Sequence, residues 1–207
     1  MKYQLRDYQK KASDAAVMCF KMKSGRNGLL VLPTGAGKSL IIADIAARLE
    51  EPLIVFQPNK EILEQNFAKL QTYGIWDCSI YSASVGRKEI SRITFATIGS
   101  VIRHMKDFQH FKNILIDECH LVKPSDGMYK RFFEQAERRI VGLTATPYRL
   151  YSCMNGSMLK FLTRTRPRVF SQVLYYCQVS ELLAKGFLSR LKYYDVTRID
   201  LTKVRRN

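Results

Sequence analysis

The stretch Pro33-Thr34-Gly35-Ala36-Gly37-Lys38-Ser39 stands between a short apolar run, Leu29 to Leu32, and a long apolar segment, Leu40 to Leu49. Strand, glycine turn and helix in that order make a loop whose backbone N–H groups converge on an anion. Gly35 and Gly37 let the backbone curl. Lys38 would reach the β and γ phosphates of a nucleotide, and the Ser39 hydroxyl would hold Mg²⁺. Partial positive charge at the start of the following helix adds to the attraction. Where the strict G-x-x-x-x-G-K-[ST] pattern has its first glycine, this chain has Leu32. An ordinary glycine-rich turn is the competing reading, and Gly-Lys-Ser at a strand–helix junction weighs against it.

A second cluster, Asp117-Glu118-Cys119-His120, directly follows the apolar run Ile114 to Ile116. Triphosphate hydrolysis needs one carboxylate for the metal and another to orient the attacking water. Asp117 is placed for the first task and Glu118 for the second. Two adjacent carboxylates at the end of a buried strand are costly without a cation, which favours function over a merely acidic surface turn. Cys119 reads as a small buried residue, and His104 and His110 as ordinary helix or loop histidines. Thr144-Ala145-Thr146-Pro147 closes a third apolar run, Ile140 to Leu143.

The elements that must hold these residues alternate. Apolar spacing over Tyr8, Ala12, Ala15, Cys19 and Met22 predicts a first helix. Leu53 to Phe56 is a buried strand, and Asn59 can cap a helix carrying Ile62, Leu63, Phe67 and Leu70. Ser79 to Tyr81 and Ile93 to Ala96 are further strands, separated by a basic loop. A helix is expected near Tyr129 to Glu137, a helix capped by Ser180 up to Lys185, and a last strand over Leu191 to Val196. Apolar runs alternating with helices mean an α/β fold with a mostly parallel central sheet flanked by helices. The crevice at the carboxyl ends of such strands is where ligands bind.

Across the 207 residues, 46% are hydrophobic, enough for a substantial core. Five cysteines (Cys19, Cys78, Cys119, Cys153, Cys177) are scattered without a C-x-x-C pair, against a disulfide framework and a zinc site. No apolar run reaches membrane-spanning length, and a cytoplasmic location without a membrane partner is expected. The net charge of +16 points to a polyanion. Residues 1–150 hold 23 basic and 15 acidic side chains, residues 151–207 hold 11 and 3, so the last quarter is the more basic. Within it, Arg164, Arg166 and Arg168 lie near Phe161, Phe170, Tyr175 and Tyr176; such interleaving either grips a single strand or forms a basic loop packed by its aromatics.

Arg6-Asp7-Tyr8-Gln9, Pro33 to Ser39, Pro58 to Gln65, Ala96 to Ser100, Asp117 to His120 and Gly142 to Pro147 occur in this order. Together they resemble the Q-motif and motifs I, Ia, Ib, II and III of superfamily-2 DEAD/DEAH-type helicases. The branch most similar is that of the bacterial RadD-like DNA helicases and the type III restriction motors, which Glu181 to Leu188 also resembles. The resemblance implies a RecA-like P-loop NTPase domain that uses ATP and Mg²⁺. Pro33, Thr34, Gly35, Ala36, Gly37, Lys38 and Ser39 would hold the nucleotide. Gln9, helped by Arg6, would read the adenine edge. Lys60, Thr97, Gly99 and Ser100 would contact the nucleic-acid backbone. Thr144 and Thr146 would couple nucleotide state to movement, with His120 as the bridge.

The expected function is therefore the ATP-binding half of an ATP-dependent helicase or translocase, on DNA rather than RNA. The alternatives are an RNA helicase and a nucleotide-dependent nucleic-acid-binding module without motor activity. Residues 1–207 are expected to form one such domain: a motif-bearing core over 1–149, a basic aromatic insertion over 150–178, and a closing helix, strand and start of a linker over 179–207. The second RecA-like domain, with the arginines that such motors place on the γ-phosphate, is expected to be absent from this chain. Arg149 follows the Thr-Ala-Thr-Pro segment but matches no such motif.

Overall fold

The computed structural model describes residues 4–22, 26–153 and 156–190. Its first helix, α1 (Asp7–Lys21), buries Tyr8, Ala12, Ala16, Cys19 and Phe20 along one stripe and leaves its lysines outside. There follow β1 (Gly28–Val31), α2 (Lys38–Arg48), β2 (Leu53–Phe56), α3 (Lys60–Thr72), β3 (Cys78–Ser82), β4 (Arg87–Lys88), β5 (Ile93–Ala96) and the one-turn α4 (Ile98–Val101). The chain continues through β6 (Asn113–Ile116), α5 (Met128–Phe133), β7 (Arg139–Thr144), β8 (Tyr148–Cys153), β9 (Gly156–Phe161), β10 (Gln172–Tyr176) and α6 (Val179–Ala184).

Eight strands form one sheet in the order β10-β1-β7-β6-β2-β5-β3-β4. Every pairing in it is parallel except β3 with the short β4. Because the inner strands are buried on both faces, they read as continuous apolar runs rather than as alternation. Alternation nevertheless sorts their side chains. Leu30, Val55, Phe95, Leu115 and Val141 point to the core under α1, α2 and α3. Leu29, Ile54, Phe56, Ile114, Ile116 and Ile140 point to the other core, with Phe108, Phe111, Phe132 and Phe170. Gly142 in β7 permits a close approach: a Cβ there would sit 2.6 Å from the Cys119 sulfur and 2.8 Å from the Phe170 ring. Cys119 is fully buried, and burial pushes its thiol pKa well up, so it is a packing residue.

Asn59 caps α3, its Oδ1 accepting the Ile62 N–H at 2.9 Å, and Gly74 ends that helix region in the left-handed conformation at φ 76°. Several sequence expectations are corrected. The basic loop before Ile93 contains a strand, β4. The helix expected to reach Glu137 ends at Phe133. Ser180 lies inside α6, whose N-cap is Gln178, and its hydroxyl bonds the Gln178 side chain at 3.3 Å. The segment 150–178 is divided: β8 and β9 form a separate antiparallel hairpin, whereas β10 joins the central sheet beside β1. The strand expected over Leu191–Val196, and the linker after it, lie outside the described residues.

Candidate nucleotide and nucleic-acid sites

The glycine loop, the acidic pair and the Thr-Ala-Thr segment leave the carboxyl ends of β1, β6 and β7, three adjacent strands. Leu32 N–H donates to Thr144 O at 2.9 Å, tying the loop's first residue to the end of β7. The loop turns through an Ala36 N–H bond to Pro33 O at 3.1 Å, with Gly35 and Gly37 at φ 81° and 76°. A side chain at Gly37 would come within 2.5 Å of Gln9 Nε2, so the left-handed turn and the space beside it both require glycine. Gln9 is buried; its Nε2 and the Tyr8 hydroxyl each donate to Ala36 O at 2.9 Å, and its Oε1 accepts the Arg6 N–H at 2.9 Å. Gln9 thus holds the phosphate loop itself. Tyr8, which the sequence marks as part of an apolar stripe and of the Arg6-to-Gln9 stretch but with no role of its own, shares that task.

The stretch after α6 closes over the same corner. Gly186 turns the chain at φ 68°, and the Phe187 ring lies under the Arg6 guanidinium at 4.2 Å and beside Tyr8. Lys185 pairs with Asp7 at 2.7 Å.

Lys38 is ion-paired with Glu118, and the other Glu118 oxygen lies 3.2 Å from His120 Nδ1. That nitrogen is also 3.0 Å from Thr144 Oγ1, which accepts the Thr146 N–H at 3.0 Å. A continuous polar chain therefore joins Lys38, Glu118, His120, Thr144 and Thr146. Glu118 adopts φ 47°, ψ 47°, the left-handed conformation that costs a non-glycine residue roughly 1–2 kcal/mol. The strain turns its carboxylate to Lys38 while Asp117 points inward.

Asp117 is buried at 6% exposure and accepts from Asn66 Nδ2 at 3.2 Å and from the Glu118 N–H at 3.0 Å. Burial raises its pKa above the usual carboxylate value, opposed by the nearby Lys38 charge. Asn66 in turn donates to Gln57 Oε1 at 3.0 Å. Neither Asn66 nor Gln57 was singled out from sequence, although a polar residue within the stripe Leu63, Asn66, Phe67, Leu70 is a signal for such a support. Ser39 is half-buried in the first turn of α2.

Beside this cluster, at the ends of β2 and β5, a groove of about 930 Å³ collects Lys60, Thr97, Gly99 and Ser100. The Thr97 and Ser100 hydroxyls lie 2.9 Å apart, and Ser100 Oγ accepts the Ala83 N–H at 2.9 Å. A Cβ at Gly99 would meet nothing within 4 Å, so internal packing does not require glycine there. Lys88, Arg103, Lys123 and Arg131 also line the groove, with Asp126. These cations come from β4, from α5 and from two loops, far apart in sequence and without periodicity, and from the sequence only Lys88 stands out, as part of a basic loop.

No helix among the described residues is long and apolar enough to cross a membrane. Residues 2–149 match the family described as type III restriction enzyme, res subunit. The chain is 29% identical over 151 residues to the DNA 3'-5' translocase XPB2 of Sulfurisphaera tokodaii, covering 72% of this chain and 32% of that protein. It is 29% identical over 154 residues to the DNA 3'-5' helicase XPB of Mycobacterium tuberculosis, covering 70% and 27%. Its fold is similar to that of the type ISP restriction-modification enzyme LlaGI, solved with a DNA substrate mimic (TM-score 0.64, 16% identity, 89% of this chain and 21% of that one). It is also similar to the UvsW helicase of bacteriophage T4 (TM-score 0.57, 21% identity, 70% and 54%). The chain thus spans about a third of the length of these two curated relatives. The expected RecA-like fold and the resemblance to the type III restriction motors of superfamily 2 are borne out, and the chain belongs to the type III restriction enzyme res-subunit family.

Proposed function

We propose that this chain is the ATP-binding part of an ATP-hydrolysing motor that moves on nucleic acid, and that the nucleic acid is DNA. The single observation that carries this reading is the polar chain from Lys38 through Glu118 and His120 to Thr144. It links a phosphate loop to a strand end beside a basic groove. The relatives named as a DNA translocase and a DNA helicase favour DNA over RNA.

Lys38 exchanges Glu118 for the phosphates of an entering nucleotide, because a polyphosphate outbids one carboxylate for a cation. Glu118, released, orients the attacking water. His120 keeps its bond to Thr144 and so transmits the change to the end of β7. Ser39 and Asp117 form a hard oxygen donor set, and burial leaves the Asp117 carboxylate in want of a cation; both fit Mg²⁺. Held there, Mg²⁺ would neutralise charge on the β and γ oxygens. Gln9, Arg6 and Tyr8 set the loop for an adenine nucleotide. Lys60, Thr97, Gly99 and Ser100 bind sugar and phosphate in the groove, where the bare face of Gly99 admits a close backbone.

Charge on the transferred phosphoryl group also needs an arginine, which contributes about 10³–10⁵ in rate in related enzymes. We assign it to a second motor domain. Phosphate release by residues 1–207 should accordingly be slight with or without single-stranded DNA. Joined to that second domain, the chain should show DNA-stimulated release that Glu118→Gln abolishes. DNA-stimulated turnover by residues 1–207 alone would refute the division of labour, and a joined protein that binds ATP without turnover would favour the binding-module alternative.

A further inference from the structure

The edge of the sheet opposite the phosphate loop carries a second concentration of positive charge. Arg26 precedes β1, Lys112 precedes β6, Arg138 and Arg139 stand at the start of β7, and Arg168 precedes β10. These strands are parallel neighbours in the order β10-β1-β7-β6, so their starts lie side by side, roughly 4.8 Å apart per strand. A shallow concavity of about 460 Å³ opens there, lined by Arg26, Asn27, Arg138, Arg168, Val169 and Ser171. Arg168 also lines a second concavity of about 330 Å³, with Arg164 and Arg166. No acidic residue lines either one, and the sequence has no Asp or Glu from Arg138 to Ser180.

Arg138 anchors the larger concavity. It is nine-tenths buried, with its guanidinium 3.8 Å over the Phe132 ring and Nη1 donating to Phe111 O at 2.9 Å. Its Nε and Nη2 have no partner among the described residues. Burial alone lowers its pKa, to about 10, with no carboxylate contributing. Glu137, its neighbour in sequence, is exposed and lines neither concavity. A buried cation without a counter-ion is costly, and water screens its field poorly. That field reaches the concavity it lines. Arg26 and Arg168 are exposed there and can close on a ligand.

We propose that this edge is a second nucleic-acid-binding surface, which holds the sugar–phosphate backbone of a segment lying outside the groove. Five arginines over two concavities that share Arg168 form a surface too extended for a single small anion and suited to a polymeric one. The proposal rests on the reading that the protein works on nucleic acid, but not on the groove being the place where it does so.

The test is fluorescence anisotropy with residues 1–207 and a labelled DNA duplex long enough to reach both edges. The double variant Arg26→Glu/Arg168→Glu is compared with Lys10→Glu/Lys11→Glu, an equal change of charge on exposed positions of α1. The first pair should weaken binding about tenfold or more at low salt and flatten the log–log salt dependence by about two contacts, near 0.9 each. The second pair should change affinity far less, and ATP affinity should be the same in both. An equal loss in the two pairs, or none in the first, overturns the proposal. So does a first pair that loses competition by inorganic phosphate while binding DNA as before, because the site would then take a free anion only. Adding Lys60→Ala/Arg103→Ala separates the two surfaces: independent losses add in log affinity, and a groove pair without effect would refute the groove reading and leave this one standing.

Discussion

At the end of the sheet that carries the glycine loop each of Lys38, Glu118 and Asp117 has an internal partner, and in the groove beside it the exposed cations have no ion-pair partner among the described residues. Lys38, Glu118 and His120 are joined to one another, and Asp117 is held by Asn66. Lys60, Arg103, Lys123 and Arg131 are exposed and, among the described residues, take part in no ion pair. On the proposed function, the difference follows from what each place would bind. A site for one small ligand in one pose gains from donors fixed beforehand, because no reorganisation is needed at the moment of reaction. A surface for a sliding polymer gains from hydrated, mobile cations that let go of one phosphate and take the next. On that reading the paired region would act as a switch, since a partner must leave before a nucleotide enters, whereas the groove would stay open.

If the paired region is a switch, removing a member should change chemistry more than binding. Glu118→Gln in the two-domain protein should lower ATP turnover about 10²–10⁴-fold, measured as steady-state phosphate release, with ATP still bound. A comparable loss of binding would mean that the carboxylate holds the site together rather than orienting water. If the groove is the open surface, Lys60→Ala/Arg103→Ala should reduce affinity for single-stranded DNA several-fold and flatten its salt dependence by about 0.7 per lost contact. Dependence on base sequence should stay weak in the wild type and in the variant.

Smaller effects sharpen the picture of how the site is held. Gly142→Ala pushes a methyl group into Cys119 and Phe170 and should destabilise the fold by about 1–3 kcal/mol in chemical denaturation. Asn59→Ala removes the α3 cap at the rim of the groove and should cost about 1 kcal/mol. Asp117 tests the same contrast through pH. Burial raises its folded pKa above 3.8, so the native state holds the proton more tightly than the unfolded chain does. Stability then falls as pH rises from 3.8 through the raised value, and at neutral pH the charged form is a cost. Asp117→Asn should raise Tm at neutral pH in metal-free buffer, by a margin that shrinks on acidification.

The legible parts of the sequence were those in which chemistry follows an apolar run directly. Leu29 to Ser39, Ile114 to His120 and Ile140 to Pro147 each announce a buried strand and the residues at its end. The parallel sheet followed from the same runs. Supports reached through tertiary contact were not legible. Tyr8 looked like core because its ring is core, and only its hydroxyl reaches Ala36. Asn66 was not singled out from its local sequence, and its role comes from a bond to Asp117, 51 residues away. The β8–β9 hairpin was missed although the sequence has Asn155-Gly156, a dipeptide favoured in tight hairpin turns, where β9 begins. The basic and aromatic residues around it drew attention to charge instead. Joining β10 to the sheet requires a partner far away in sequence, β1, and no local pattern in Gln172–Tyr176 says which strand that is.

The central claim is that a nucleotide takes Glu118's place on Lys38. Calorimetric titration of residues 1–207 with ATP and Mg²⁺, in the wild type, Lys38→Ala and Glu118→Gln, tests it most directly. The account predicts that Lys38→Ala weakens binding about 10–100-fold, as loss of a charge-assisted bond should, while Glu118→Gln binds at least as tightly as the wild type because Lys38 no longer has a competing carboxylate. Equal affinity of Lys38→Ala and wild type, or weaker binding by Glu118→Gln, would contradict it.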